Sequence, residues 1–344
     1  MTTFTETPIF IEDWVFIFLL SKILYTKVVY TVNKTTFGKY QVVELKNKNT
    51  NEYLSVIPDF GGKIHKTALL TKKGLKSITD FDKDVKELTE NKLYKNCLLV
   101  PFANRIRGGE YTFRNERYNL HINFPKQDHS IHGLVYNKPF SVAKIQVKDK
   151  SSSITLSYIS QGDEPGYPFK YITSITYSLS PQKIDFEVRV RNSDNKPIPL
   201  SVGYHPYFCL GNRVDDLMLR LPVKWRMVTD EKQIPTGRKE LYFQYNKLSP
   251  IGSLHIDDCF TIGEINEERA VTTIYNPSDK TEIGLWQETG TNLFNYLQVY
   301  IPPHRRSIAI EPMTGNIDSF NNHKGLILLK PNSEFRGRFG IFVK

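Results

Sequence analysis

Short runs of alternating apolar and polar residues recur along this chain from about Thr36 onward, each closed by Gly, Pro, Asn, Asp or Ser. A period of two marks a strand with one buried and one wet face. The clearest run sets Ile184, Phe186, Val188 and Val190 against Asp185, Glu187, Arg189 and Arg191. Comparable runs fall at residues 154–158, 172–179, 217–221, 297–301, 308–310 and 339–343. So many short strands predict an all-β sandwich or barrel. One stretch, residues 80–93, has helical spacing instead, with Phe81, Val85 and Leu88 at i, i+4 and i+7 behind Thr79 or Asp80 as a cap. No linker, repeat or low-complexity tract divides the chain. The reading is one large antiparallel β domain over residues 31–344 after an N-terminal extension, residues 1–30.

That extension holds the apolar run at residues 14–20, which Lys22 and Lys27 follow closely. The run is shorter than the ~20 residues a membrane span requires. The acidic Glu6, Glu12 and Asp13 ahead of it do not fit a secretory signal. The expectation is a cytoplasmic protein with no membrane span.

The composition is globular: 40% hydrophobic, 24% charged and 12% aromatic over 344 residues. A net charge of +10 raises the question of nucleic acid, yet the basic residues are scattered and have no aromatics interleaved. No nucleic-acid partner is expected. Three cysteines, Cys97, Cys209 and Cys259, are too few for a disulfide framework.

Four segments place polar groups beside strands: Asn104-Arg105-Ile106-Arg107-Gly108-Gly109, His129-Ser130-Ile131-His132-Gly133, Gly203-Tyr204-His205-Pro206-Tyr207-Phe208 and Ile310-Glu311-Pro312-Met313-Thr314. Each is bland alone. A histidine among Tyr204, Tyr207 and Phe208 is more often a packing residue than an acid. Glu311 reads as a carboxylate held at a strand end, because Pro312 stops the ladder. An arginine such as Arg105 is most often a salt-bridge partner, although its forked donors suit vicinal hydroxyls. His129 and His132 have a metal-like spacing but no third ligand, so no metal is assigned. No Walker loop, dinucleotide fingerprint or nucleophile elbow occurs.

Taken together and in this order, the segments resemble the aldose 1-epimerase (galactose mutarotase) family over roughly residues 36–344. Asn104-Arg105-Ile106 is similar to its Asn-Arg-Ile loop, His132-Gly133 to the start of its His-Gly-Gly turn, and His205-Pro206-Tyr207-Phe208 to its His-x-Tyr-Phe strand. Glu311-Pro312 is similar to the segment carrying its base, and Asp257-Asp258-Cys259-Phe260 to its sugar-binding aspartate segment. Leu134, Cys209 and the stretch Gly315-Asn316-Ile317-Asp318 depart from the family pattern and leave the choice of sugar open.

The resemblance implies a large twisted β-sandwich, the galactose mutarotase-like supersandwich, working without a cofactor on a free monosaccharide as a monomer or weak homodimer. It implies Glu311 as base and protonated His205 as acid, with Asn104, Arg105, His132, Asp257 and Gln298 holding the hydroxyls. A bell-shaped pH profile follows, the carboxylate on its acid limb and the imidazole on its basic limb. Two alternatives stand beside it: a hexose-6-phosphate mutarotase, with Arg107 or Arg213 gripping the phosphate, and a non-catalytic sugar-binding or sensor protein. Glycoside hydrolysis needs two flanking carboxylates, and only Glu311 is assigned.

Overall fold

The computed structural model describes residues 29–211, 213–263 and 269–344. The apolar run at residues 14–20 and the rest of the expected extension through residue 28 lie outside the described residues. Tyr30, placed in that extension by the sequence reading, opens a strand, Tyr30–Phe37.

Among the described residues nearly all of the regular structure is antiparallel strand. A nine-stranded sheet runs in the order Ser141–Lys148, Ser151–Gln161, Lys170–Ser180, Lys183–Asn192, Glu334–Val343, Thr281–Glu288, Arg269–Asn276, Met218–Arg220 and Ser249–Pro250. An eight-stranded sheet runs Pro235–Leu241, Val223–Thr229, Asp257–Ile262, Tyr296–Tyr300, Ile308–Met313, Gly203–Tyr204 and Leu98–Leu99, with Tyr207–Phe208 also pairing to Ile308–Met313. A five-stranded sheet covers Tyr30 to Ser77.

Alternation decides which face meets which. Phe186, Val188 and Phe339 from the nine-stranded sheet enter one core cluster with Tyr204, Phe208, Phe260, Leu297, Ile308 and Ile310 from the eight-stranded sheet. Tyr204 lies 5.1 Å from Phe186 and 5.3 Å from Phe339, ring centroid to centroid. Sheet-on-sheet burial of this kind makes the sandwich.

The expected helix is a single short one, Val85–Glu90, capped by Asp84, whose carboxylate accepts from the Glu87 amide at 2.8 Å. Thr79 and Asp80 do not cap it. Thr79 bridges to Phe208, and Asp80 donates its amide to the Tyr207 carbonyl at 3.0 Å. Both are thus drawn into the sheet, and the chain reaches helical geometry only after Asp84 supplies a side-chain acceptor. Cys97, Cys209 and Cys259 are free thiols. No helix among the described residues is long and apolar enough to cross a membrane.

Candidate active site

The floor of the site is the face of the eight-stranded sheet turned away from the shared core. On Ile308–Met313 the core takes Ile308 and Ile310, so Ala309, Glu311 and Met313 point the other way. The pairing Gln298↔Glu311 puts Gln298 on the same face, and Tyr300 follows two residues on. Asp257 pairs with Tyr300. Gly203 pairs with Met313 and Tyr207 with Ala309, so His205 stands across from Glu311 in the gap between two short strands. His205 Nε2 lies 3.3 Å from Glu311 Oε1, and both side chains are buried.

Glu311 is therefore mid-strand, not at the strand end expected from Pro312. The ladder tolerates Pro312 because the neighbouring strand is interrupted at His205-Pro206, where few amide bonds are demanded of it. Of the aromatics around His205, only Tyr207 faces the site, stacked on the imidazole at 4.9 Å and 8°. Tyr204 and Phe208 belong to the core.

The walls come from loops. Arg105–Arg107 pairs with His129–Ile131, and the His132 amide donates to the Asn104 carbonyl at 3.0 Å. Asn104 and His132 both take positive φ, 59° and 63°. Strained backbone of this kind needs support from its surroundings. Gly133 provides part of it: at φ 76°, a Cβ there would sit 2.3 Å from the Val100 carbonyl oxygen, so only glycine fits beneath His132. His132 packs against Tyr94 in a tilted contact at 4.7 Å and meets His205 edge-on at 5.0 Å.

Floor and walls enclose a cavity of about 140 Å³. All seven sequence-assigned residues, Asn104, Arg105, His132, His205, Asp257, Gln298 and Glu311, line it. Arg107 and Arg213 do not: Arg107 pairs with Asp230 at 3.5 Å and Arg213 with Asp215 at 2.5 Å, both on the surface. His129 is occupied structurally, its Nδ1 accepting from the Gly108 amide at 3.2 Å and its Nε2 lying 3.1 Å from the Lys232 carbonyl. Among the described residues no three His, Cys, Asp or Glu side chains gather as metal ligands.

Sequence reasoning missed Tyr94, Gln233 and Tyr300, which also line the cavity. Tyr300 was within reach, since strand alternation from Gln298 points to it. Gln233 sits at an exposed-looking turn, Asp230-Glu231-Lys232-Gln233, that carries no signal of a site.

Burial dominates the electrostatics. It raises Glu311 well above the usual carboxylate range, with the nearby Asp257 charge adding to the effect and Arg105 opposing it. It lowers His205 to about 3 and His132 well below its ordinary 6.5. Both partners of the 3.3 Å contact thus favour their neutral forms. Neutral acid plus neutral imidazole holds the same single proton as carboxylate plus imidazolium, so moving one proton across the contact converts one into the other. Glu311 Oε2 and His132 Nδ1 are buried without a hydrogen-bond partner. Leaving such atoms unpaired costs roughly 1–3 kcal/mol each, which favours a hydroxyl-bearing ligand.

Known proteins bear on this arrangement. The protein YihR of Escherichia coli (strain K12), itself uncharacterized, is 28% identical over 253 residues, 71% of this chain and 78% of its own length. The galactose mutarotase of Homo sapiens is 28% identical over 148 residues, 42% of each chain. A galactose mutarotase-like protein from Clostridium acetobutylicum has the same fold, with a TM-score of 0.79 at 20% identity over 92% of this chain and 98% of that one. The sequence profile of the aldose 1-epimerases matches residues 41–341, so nearly the whole described sandwich, its floor and its walls included, is accounted for by one lineage. The chain belongs to the aldose 1-epimerase family.

Proposed function

We propose that this protein interconverts the α and β anomers of a free aldohexose. The observation that carries the reading is the buried His205–Glu311 contact at 3.3 Å on the cavity floor. Ring opening needs one proton removed from the C1 hydroxyl and one delivered to the ring oxygen. With the pair's proton on His205, Glu311 takes the hydroxyl proton while His205 protonates the ring oxygen, and the C1–O5 bond breaks to give the aldehyde. Rotation about C1–C2 and reclosure with the roles reversed yields the other anomer. Each positioned transfer contributes ~10²- to 10⁴-fold.

Arg105, Asn104, Asp257, Gln298 and His132 orient the hydroxyls in this scheme, and Arg105 answers charge that develops in the open form. Arg107 and Arg213, the cations a phosphate would have used, lie outside the cavity and in surface ion pairs, which favours an unphosphorylated sugar.

Turnover requires one proton on the pair. The acid limb of the pH profile is set by adding a second proton, which His205 resists down to about 3, and the basic limb by losing the one that burial holds on Glu311. Because the two groups share one proton, both limbs belong to the pair rather than to either residue alone.

Polarimetry of freshly dissolved α-D-glucose and α-D-galactose tests the proposal. Rotation should relax to equilibrium faster with enzyme than without, at a rate proportional to enzyme. Binding of sugar with relaxation at the buffer rate would identify a sugar-binding protein instead.

A further inference from the structure

A closed ring of hydrogen bonds lies at the wall of the cavity, apart from the acid–base pair. In one direction Arg105 Nη1 donates to Asn104 Oδ1 at 2.9 Å, Asn104 Nδ2 to Gln298 Oε1 at 3.1 Å, and Gln298 Nε2 to Asp257 Oδ1 at 2.8 Å. In the other, Arg105 Nη2 donates to Gln233 Oε1, and Gln233 Nε2 to Asp257 Oδ2 at 2.5 Å. Every bond runs from the arginine towards the aspartate. A guanidinium only donates and a carboxylate only accepts, so each amide must turn its carbonyl towards the Arg105 end of its route and its N–H towards the Asp257 end.

The amides act as spacers. An arginine and an aspartate sharing a 140 Å³ cavity would otherwise close into a bidentate ion pair. That pair would consume the donors and lone pairs that face a sugar. As spaced, Arg105 gives one N–H each to Gln127, Asn104 and Gln233, which leaves two of its five donors. Each oxygen of Asp257 has accepted one amide and retains a lone pair for a hydroxyl.

The two routes are built differently. Gln298 stands on a central strand, whereas Gln233 rides the tip of the hairpin between Val223–Thr229 and Pro235–Leu241, at φ 60°. That tip is fastened to the opposite wall by the His129–Lys232 contact at 3.1 Å and the Arg107–Asp230 pair at 3.5 Å. The Asp230 carboxylate braces it from within, accepting from the Lys232 and Ile234 amides at 3.0 and 2.9 Å.

We propose that Gln233 is a positioning residue, which holds Arg105 and Asp257 apart and thereby sets how tightly this site grips the hydroxyls of its sugar. The proposal rests on the sugar-binding reading above.

Two variants test it, with Kd for D-galactose and D-glucose measured by calorimetry beside KM and kcat. Gln233→Leu keeps bulk and removes both polar ends. Kd and KM should rise about tenfold or more, equivalent to ~1.4 kcal/mol, and kcat/KM should fall by at least as much, because the displaced Arg105 also answers charge in the open form. Gln233→Glu places a second carboxylate against Asp257, so binding should be weak at neutral pH. It should recover as pH falls, because the protonated acid again offers a carbonyl to Arg105 and a donor to Asp257. A role in folding alone would not produce that rescue. Kd within twofold of wild type in both variants at every pH overturns the proposal, as does a loss confined to kcat. Wild-type protein that binds sugar without turning it over defeats the epimerase reading and leaves this test intact; wild-type protein that binds neither sugar defeats both.

Discussion

The strand Lys183–Asn192 and the strand Ile308–Met313 belong to the same sandwich and treat a glutamate in opposite ways. On the first, buried and half-buried positions alternate, and Glu187 points to solvent between Arg189 at 2.7 Å and Arg336 at 2.8 Å. Those arginines hold its carboxyl below the usual range, although burial pulls the other way. On the second every residue is buried, and Glu311 faces a histidine with burial pushing it to the neutral form. The nine-stranded sheet spends its wet face on surface ion pairs worth ~0–1 kcal/mol each. The eight-stranded sheet has covered its second face and lined a cavity with it, at a cost in desolvated polar groups. Stability and chemistry are divided between the two layers.

The largest test of this division is Glu311→Gln. The amide keeps the shape but accepts no proton, so turnover should fall ~10²- to 10⁴-fold with sugar affinity largely kept. Activity within tenfold of wild type would remove Glu311 as the base.

Next comes the charge buried behind the floor. Lys63 meets Asp82 at 2.7 Å with both side chains nearly inaccessible, and its charge reaches His205. Asp82→Ala strands a buried ammonium and should cost ~3–5 kcal/mol in urea denaturation. The surface pair Arg226–Glu240, at 2.7 Å, should lose less than ~1 kcal/mol when Glu240 is replaced by Ala. Equal losses would dissolve the contrast.

The smallest effect is a trend with pH. A group whose folded pKa is raised stabilises below its unfolded value, and that contribution fades as pH rises towards the folded value. Glu311 is such a group, so Glu311→Gln should gain in Tm relative to wild type between pH 5 and pH 8. Glu187, lowered, should show the opposite drift on substitution by Gln: its contribution is present above the unfolded value and lost only in acid. Calorimetry at pH 5 and pH 8 reads the first, and a further measurement below the usual glutamate pKa of about 4.3 reads the second.

The two layers were also unequally legible in the sequence. Alternation at Ile184, Phe186, Val188 and Val190 announced a half-wet strand, and Lys183–Asn192 is one. On Ile308–Met313 the alternation exists but is masked, because Glu311 is as buried as Ile310. Residues whose partners come from distant segments were individually ambiguous; Asn104 and Gln298 meet across 194 positions. Only the order of the four motifs, and the resemblance it carried, joined them. The helix was overextended because apolar spacing at Phe81, Val85 and Leu88 says nothing of the tertiary bonds that hold Thr79 and Asp80 in extended chain. Gln233 was invisible because a turn residue reveals its role only through what it reaches.

The floor of the cavity is written in strand register, while its walls are written in loops. A one-residue insertion between Gly203 and Tyr207, or within Ile308–Met313, would swing the histidine or the glutamate into the hydrocarbon interior and put an isoleucine or tyrosine in its place. Nothing short of a compensating shift in the neighbouring strand would restore the site. The loops around Asn104, His132 and Gln233 are held instead by left-handed turns and bonds across the cavity wall, so they accept a change of side chain more readily than a change of length. Redirecting the proposed activity to another sugar therefore calls for substitutions in those loops at constant length, with the spacing of the two central strands left alone.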